Sequence, residues 1–151
     1  LQAIREKFAF TGKQFQIQVP DKLEDIFMDS RKLCHCIANS DVYWERMERR
    51  ESYLLFLRKT AEPDTPYYTV EAEPGGTVRQ VRTQYNRQND DIGEVRAFLK
   101  IWQKQLAKRL TQKDKRLAAA TSCASKNWCS CEMIRSRFTR ATLQVVCLWM
   151  C

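Results

Sequence analysis

The segment RKLCHCIANSDVYW (Arg31 to Trp44) places the chain's single histidine, His35, between Cys34 and Cys36. These residue types could bind a metal ion, or could supply a thiolate nucleophile with its base. If the segment is helical, successive side chains point about 100° apart, so the three cannot converge on one point. The segment alone therefore argues against a three-ligand metal site and against a His35–Cys36 catalytic pair. A packing role for a buried cysteine and histidine is the remaining interpretation.

Chemistry at this segment would need partners from the strands that follow it. In an enzyme, His35 or Cys36 would transfer protons or act as the nucleophile. Glu71 would act as a general base or orienting carboxylate, and Arg58 or Arg82 would bind an anion. The full set of partner candidates is Arg58, Glu71, Gln80, Arg82 and Asn86.

The charge balance points to a different class of function. The chain has 26 basic and 18 acidic residues, a net charge of +8, which would draw it toward polyanions such as nucleic acid. Arginines could contact phosphates while a tyrosine stacks on a base. An ordinary basic surface explains the same charges equally well. The candidate contacts are Arg79, Arg82, Tyr85, Arg87, Lys100, Lys104 and Lys108.

The periodicity of the chain predicts an α+β fold. Alternation over Phe15 to Val19 predicts a strand, and Glu51 to Lys59 is an apolar run of strand length. Two further strands are joined by the PGG turn at residues 74–76, and apolar residues from Ile92 to Leu106 recur at helical spacing. We therefore expect an antiparallel sheet of three to four strands, with helices packed on one face.

The composition predicts one folded domain at residues 1–117 and an atypical tail at residues 118–151. Five of the seven cysteines lie in this tail, where disordered or out-of-frame sequence and a zinc site on Cys123, Cys129 and Cys131 are the competing interpretations. The one-residue spacing of CSC disfavours zinc, and we expect no metal or cofactor. No signal peptide or membrane span is visible, so we expect reduced thiols and a cytoplasmic protein.

Three stretches of the chain resemble the PcfJ-like family of conjugative plasmids and related mobile elements, over about residues 15–117. They are SRKLCHCIANSDVYWERMERRESYLLFLRK, PYYTVEAEPGGTVRQVRTQYNRQN and FLKIWQK. The family pattern has His-His-Cys, a strand ending in arginine, a Thr-x-Glu strand, and a Gln strand leading to Tyr-Asn. These elements fall on Cys34 to Cys36, Arg58, Thr69 and Glu71, Gln80, and Tyr85 and Asn86.

The resemblance implies a bacterial cytoplasmic protein of a mobile element, associated with nucleic acid during plasmid transfer or maintenance. It also implies that the chain, which starts at Leu1, is the C-terminal part of a longer protein, with other proteins of the same element as further partners. Cys34 stands where the family has its first histidine, which puts a paired-histidine chemistry in doubt. An enzyme with its site on the sheet remains the alternative.

Overall fold

The computed structural model describes residues 2–35, 37 and 40–120. Nine elements follow one another in this part of the chain, with a 3-10 turn at Gln84–Asn86 and a further helix, α5, at residues 112–120. Cys36 and the cysteines of the tail lie outside the described residues, so the expectations for them stand as predictions. The elements are α1 (Gln2–Phe8), β1 (Phe10–Thr11), β2 (Phe15–Gln18), α2 (Leu23–Lys32), α3 (Asp41–Glu48), β3 (Tyr53–Lys59), β4 (Tyr68–Ala72), β5 (Val78–Arg82) and α4 (Ile92–Arg109).

The strands form one antiparallel sheet of five strands in sequence order, β1 to β5. This confirms the α+β class and the antiparallel sheet, which has one strand more than the three to four that the sequence predicts. The fifth is β1, whose two residues are too few to show an alternating pattern. Short connections explain why β1 and β2, β3 and β4, and β4 and β5 are adjacent in the sheet, whereas α2 and α3 lie between β2 and β3 in the chain.

One face of the sheet carries the larger core. Leu55 and Leu57 of β3 and Val70 of β4 are fully buried there, under α1 and α4. Helix α4 contributes Val95, Phe98, Leu99, Trp102 and Leu106 at the three- and four-residue spacing of an amphipathic helix. The Trp102 indole also donates a 2.8 Å hydrogen bond to the Phe8 carbonyl, which ties α4 to α1.

Helices α2 and α3 cover the opposite face of the sheet, so the expectation of helices on one face is wrong. Leu54 and Phe56 alternate with Leu55 and Leu57 along β3 and pack with Ile26 of α2. Consecutive strand residues point to opposite faces, and a continuous apolar run such as YLLFL therefore needs cover on both sides. We call the face under α2 and α3 the polar face, because it also carries the buried polar residues described below.

The turn between β4 and β5 depends on Gly76. Its φ of +87° is in the left-handed region, and a Cβ there would lie 2.7 Å from a Leu106 methyl. The Gly76 amide donates to the Glu73 carbonyl at 2.8 Å, and the Glu73 amide donates to the Thr77 carbonyl at the same distance. Glycine therefore both forms the predicted hairpin and allows α4 to approach it.

Two substitutions in α4 test which of its sides is buried. Leu99 is 4% exposed and Ile101 is 53% exposed. We expect Leu99→Ala to lower the free energy of unfolding by about 2–5 kcal/mol, because it leaves a cavity in the core. Ile101→Ala, the matched control, should change it by about 0.5 kcal/mol or less in urea titrations. Equal costs would contradict this packing of α4.

Candidate functional site

His35 lies just beyond the C-terminal end of α2 and is only 6% exposed. Its Nδ1 is 3.1 Å from the Ser30 hydroxyl, and its Nε2 is 2.9 Å from the Thr69 hydroxyl of β4. Both ring nitrogens therefore have partners, one from α2 and one from the sheet. Burial lowers the pKa of His35 below its ordinary value of 6.5, with a hydrogen bond to its own backbone opposing that shift.

The hydrogen-bond partners of His35 favour one of its two neutral tautomers. Ser30 donates its one proton to the His35 carbonyl at 2.6 Å, so its oxygen can only accept from Nδ1. The neutral ring then carries its hydrogen on Nδ1, and Nε2 accepts from Thr69. The Thr69 hydroxyl is also placed to donate to Asp29 Oδ2 at 3.2 Å, and its single proton serves one of the two acceptors at a time.

Protonation of His35 would reverse this chain of hydrogen bonds while keeping the same partners together. Imidazolium Nε2–H would donate to the Thr69 oxygen, and the Thr69 hydroxyl would turn to Asp29. The Asp29 carboxylate would then stabilise the positive ring through one intervening hydroxyl. The arrangement can therefore take up and release one proton at His35.

Asp29 links this histidine to Arg58. The two side chains form an ion pair through Asp29 Oδ1 and one terminal nitrogen of Arg58, with 3% and 5% of their surfaces exposed. Burial raises the pKa of Asp29, and the adjacent Arg58 opposes that rise. Arg58 still has two buried nitrogens, Nε and the second terminal nitrogen, that lack a hydrogen-bond partner. Ser30, His35, Thr69, Asp29 and Arg58 are called the His35 network below.

Glu71 and Gln80 lie on the same polar face, one step further along β4. Glu71 is 2% exposed and accepts from Ser52 at 2.7 Å and from Gln80 at 2.8 Å. Arg46 of α3 donates to it at 3.3 Å, and Gln80 also donates to the Tyr43 hydroxyl at 2.6 Å. The Glu71 carboxylate therefore already accepts hydrogen bonds from several fixed donors. Such a carboxylate positions its neighbours, whereas a general base needs a free oxygen.

A bulge in β5 turns Arg79 toward this carboxylate. Glu71 pairs with Gln80 and Ala72 pairs with Val78, which leaves Arg79 as the extra residue. Its guanidinium donates to Glu73 at 3.0 Å and lies 3.8 Å from Glu71. With only 17% of its side chain exposed, Arg79 is committed to these acids and is a poor candidate for contacting nucleic acid.

The other nucleic-acid candidates fall into two separate groups. Arg82 is half-buried on the polar face beside Thr69, and Tyr85 and Arg87 follow it on an exposed connection. Tyr85 is 52% exposed, and the Arg87 guanidinium lies 5.9 Å from its ring centre. The second group lies on α4, which packs against the other face, and consists of the exposed residues Lys100, Lys104 and Lys108.

Backbone strain also occurs at the residues after β5. Tyr85 and Asn86 both have positive φ angles, 56° and 59°, although neither is glycine. The Tyr85 amide donates to the Leu33 carbonyl at the end of α2, at 2.9 Å. Non-glycine residues in this region cost free energy and concentrate at functional sites. The strained turn therefore abuts the segment that carries His35.

Sequence reasoning missed Asp29 and Ser30, which hold His35 and Arg58 in place. Ile26, Asp29, Ser30 and Leu33 follow the i, i+3, i+4, i+7 spacing of one helix face, and all four are buried. Two polar residues within the apolar stripe of an amphipathic helix were the available signal. Buried polar groups need partners, and here those partners come from the sheet.

No cluster of metal-binding residues occurs among the residues that the structure describes. None of the helices described here is long and apolar enough to cross a membrane. The polar face is therefore a site of hydrogen bonds and ion pairs as far as the structure describes it.

Comparison with known proteins identifies the family. The family model described as PcfJ-like protein matches residues 2–95, more than half of the chain, and the chain belongs to this family. The matched range starts before the resemblance seen in the sequence and ends within the first turn of α4. No curated protein and no solved structure matches the chain.

The buried neutral histidine predicts a pH dependence of stability. The pKa of His35 is lowered in the folded state, so the unfolded chain binds a proton first as the pH falls below about 6.5. Its contribution to stability is complete above that pH and is lost as the pH falls toward the folded-state pKa. The free energy of unfolding should be measured against pH for the wild type and for His35→Gln. The difference between the two should fall by on the order of 1 kcal/mol from pH 7 to pH 5.5. If this difference in the free energy of unfolding stays constant, or rises at low pH, His35 is not buried as a neutral ring.

Proposed function

We propose that this PcfJ-like chain carries an enzyme-type site in which His35 transfers protons for a small ligand bound beside Arg58. The observation that carries the proposal is convergence. His35 and Arg58, 23 positions apart in the chain, are joined through Asp29 and Thr69. Glu71 and Gln80, which the family resemblance also identifies, lie on the same face.

The His35 network has the properties of an acid–base group. A general base must be unprotonated before it can accept a proton, and burial lowers the pKa of His35, which keeps the ring neutral at neutral pH. The Thr69 hydroxyl can rotate to follow the proton, while the Arg58 pair keeps Asp29 in place to stabilise the charged ring. Glu71 and Gln80 act as positioning residues, because the Glu71 carboxylate and the Gln80 side-chain nitrogen are already paired.

The biological setting of the proposal comes from the family resemblance. We propose that the protein works in the bacterial cytoplasm for a conjugative plasmid or related mobile element, with proteins of that element as partners. Residues 1–117 are the proposed functional unit. Nothing in this setting requires a cofactor.

A panel of chromogenic esters, phosphoesters and glycosides tests the enzyme proposal, because each of these reactions needs proton transfer. We expect turnover of one substrate class that falls about 100-fold or more in His35→Gln, the usual contribution of a general acid–base group. Ile101→Ala, exposed on the opposite layer, should retain wild-type turnover. Turnover that persists in His35→Gln, with folding verified by circular dichroism, would contradict the proposal.

A second proposed function is nucleic-acid binding, which the exposed Tyr85 and Arg87 and the three lysines of α4 favour. An aromatic ring beside a guanidinium on a protruding turn suits stacking on an unpaired base. The lysines recur every four residues on the solvent side of α4, where they could contact successive phosphates. Arg79 is left out of this proposal because its charge is neutralised by Glu73 and Glu71.

A salt series with single- and double-stranded DNA tests the binding function. Changing Lys100, Lys104 and Lys108 together to glutamine should reduce the slope of log affinity against log salt by about 0.9 for each duplex phosphate that these lysines neutralise. Lys13→Gln, an exposed lysine between β1 and β2, is the control and should leave the slope unchanged. Equal effects of the two changes would indicate non-specific attraction to net charge.

A further inference from the structure

An open cleft of about 270 Å³ lies beside the His35 network. Its walls come from α2, from the end of β2, from β3 and from the turn at residues 61–66. Asp29 and Arg58 of the network form part of this wall, together with Lys32, Met28 and Asp64. We call it the Arg58 cleft.

Arg58 is the incomplete group of this cleft. Its side chain is 95% buried, since only 5% is exposed, and a single terminal nitrogen is bonded, to Asp29. Nε and the other terminal nitrogen, which together carry three N–H hydrogens, have no acceptor. Buried donors without acceptors are unfavourable, and an acceptor from a water, an ion or another molecule would satisfy them.

The carboxylates on the cleft wall do not supply the missing acceptor. Asp21 pairs with Arg5. Asp25 accepts the amides of residues 21 and 22, each at 2.9 Å. Asp29 already forms the ion pair with one terminal nitrogen of Arg58, and its other oxygen lies beside Thr69. Asp64 is exposed on the rim and acts on Arg58 only through its charge.

We propose that the Arg58 cleft binds the oxyanion group, a carboxylate or phosphate, of a small ligand. A guanidinium offers these groups two parallel hydrogen bonds, and Lys32 adds a second positive charge to the same wall. The unpaired nitrogens are covered, so binding requires a flexible wall side chain such as Met28 or Lys32 to move aside. The proposal deepens the proposed function by naming the ligand class of that site.

Asp64 sets the affinity of the cleft for an anion. It is a negative charge on the rim without a hydrogen bond in the described part of the chain, and it attracts Arg58. Asp64 repels an entering anion, and it also partly neutralises the positive charge of Arg58 that attracts the anion. Removing this charge should therefore tighten anion binding, whereas it would weaken the binding of a cation.

The test is calorimetric titration of the full chain with inorganic phosphate and, separately, with succinate, at constant ionic strength. We expect saturable binding of at least one of them, tightened about three- to tenfold by Asp64→Asn. Glu62→Gln removes the same charge from the same turn at an exposed residue outside the cleft, and should leave the affinity unchanged. The Arg58→Lys variant should lose anion binding if it folds. If that variant does not fold, the comparison of Asp64→Asn with Glu62→Gln still tests the proposal.

The outcomes separate the ligand from its alternatives. Tightening for phosphate alone, or for succinate alone, identifies the preferred oxyanion. Equal effects of Asp64→Asn and Glu62→Gln, weaker binding in Asp64→Asn, or no binding of either probe would overturn the proposal. These results do not depend on His35, so the substrate panel with His35→Gln can fail or succeed independently of them.

Discussion

The buried ion pair between Asp29 and Arg58 is the interaction on which the polar face depends. It joins α2 to β3 with both side chains almost completely removed from water. Taking two charges out of water costs several kcal/mol per ion, and the cost is offset only when geometry and further hydrogen bonds are favourable. Asp29 lies against Thr69 as a further partner, whereas Arg58 remains short of acceptors. The pair is therefore a costly feature that is satisfied on one side and incomplete on the other.

That asymmetry connects the fold to the proposed chemistry. The satisfied side holds Thr69 between Asp29 and His35, which fixes the ring and gives its proton a place to go. The incomplete side borders the cleft, where an acceptor from a ligand would complete it. The second cluster, around Glu71, is filled by Ser52, Gln80 and Arg46 and holds α3 against the sheet. In the proposed function, one sheet face thus combines a rigid support with a site that responds to a proton and an anion.

The sequence allowed most of the sheet to be predicted, because its signals are local. Alternation in β2, the PGG turn and the helical spacing of α4 each depend on a few neighbouring residues. The two covered faces were missed, although the uninterrupted apolar run of β3 pointed to them. The sequence singled out only part of the candidate site. Its sheet residues Arg58, Glu71 and Gln80 could be found, but Asp29 and Ser30 acquire their roles only when α2 lies over the sheet. Whether Arg79 is free or paired likewise depends on a bulge that no local pattern specified.

The nitrogen NMR spectrum of the His35 imidazole tests the central claim most directly, since the chain has one histidine and its signals need no assignment against others. At neutral pH the His35 network predicts a neutral ring protonated on Nδ1, with Nε2 as an acceptor from Thr69. It also predicts a titration that begins below the ordinary value of 6.5. A ring protonated on Nε2, or one that titrates like an exposed histidine, would contradict the network that links His35 to Asp29 and Arg58.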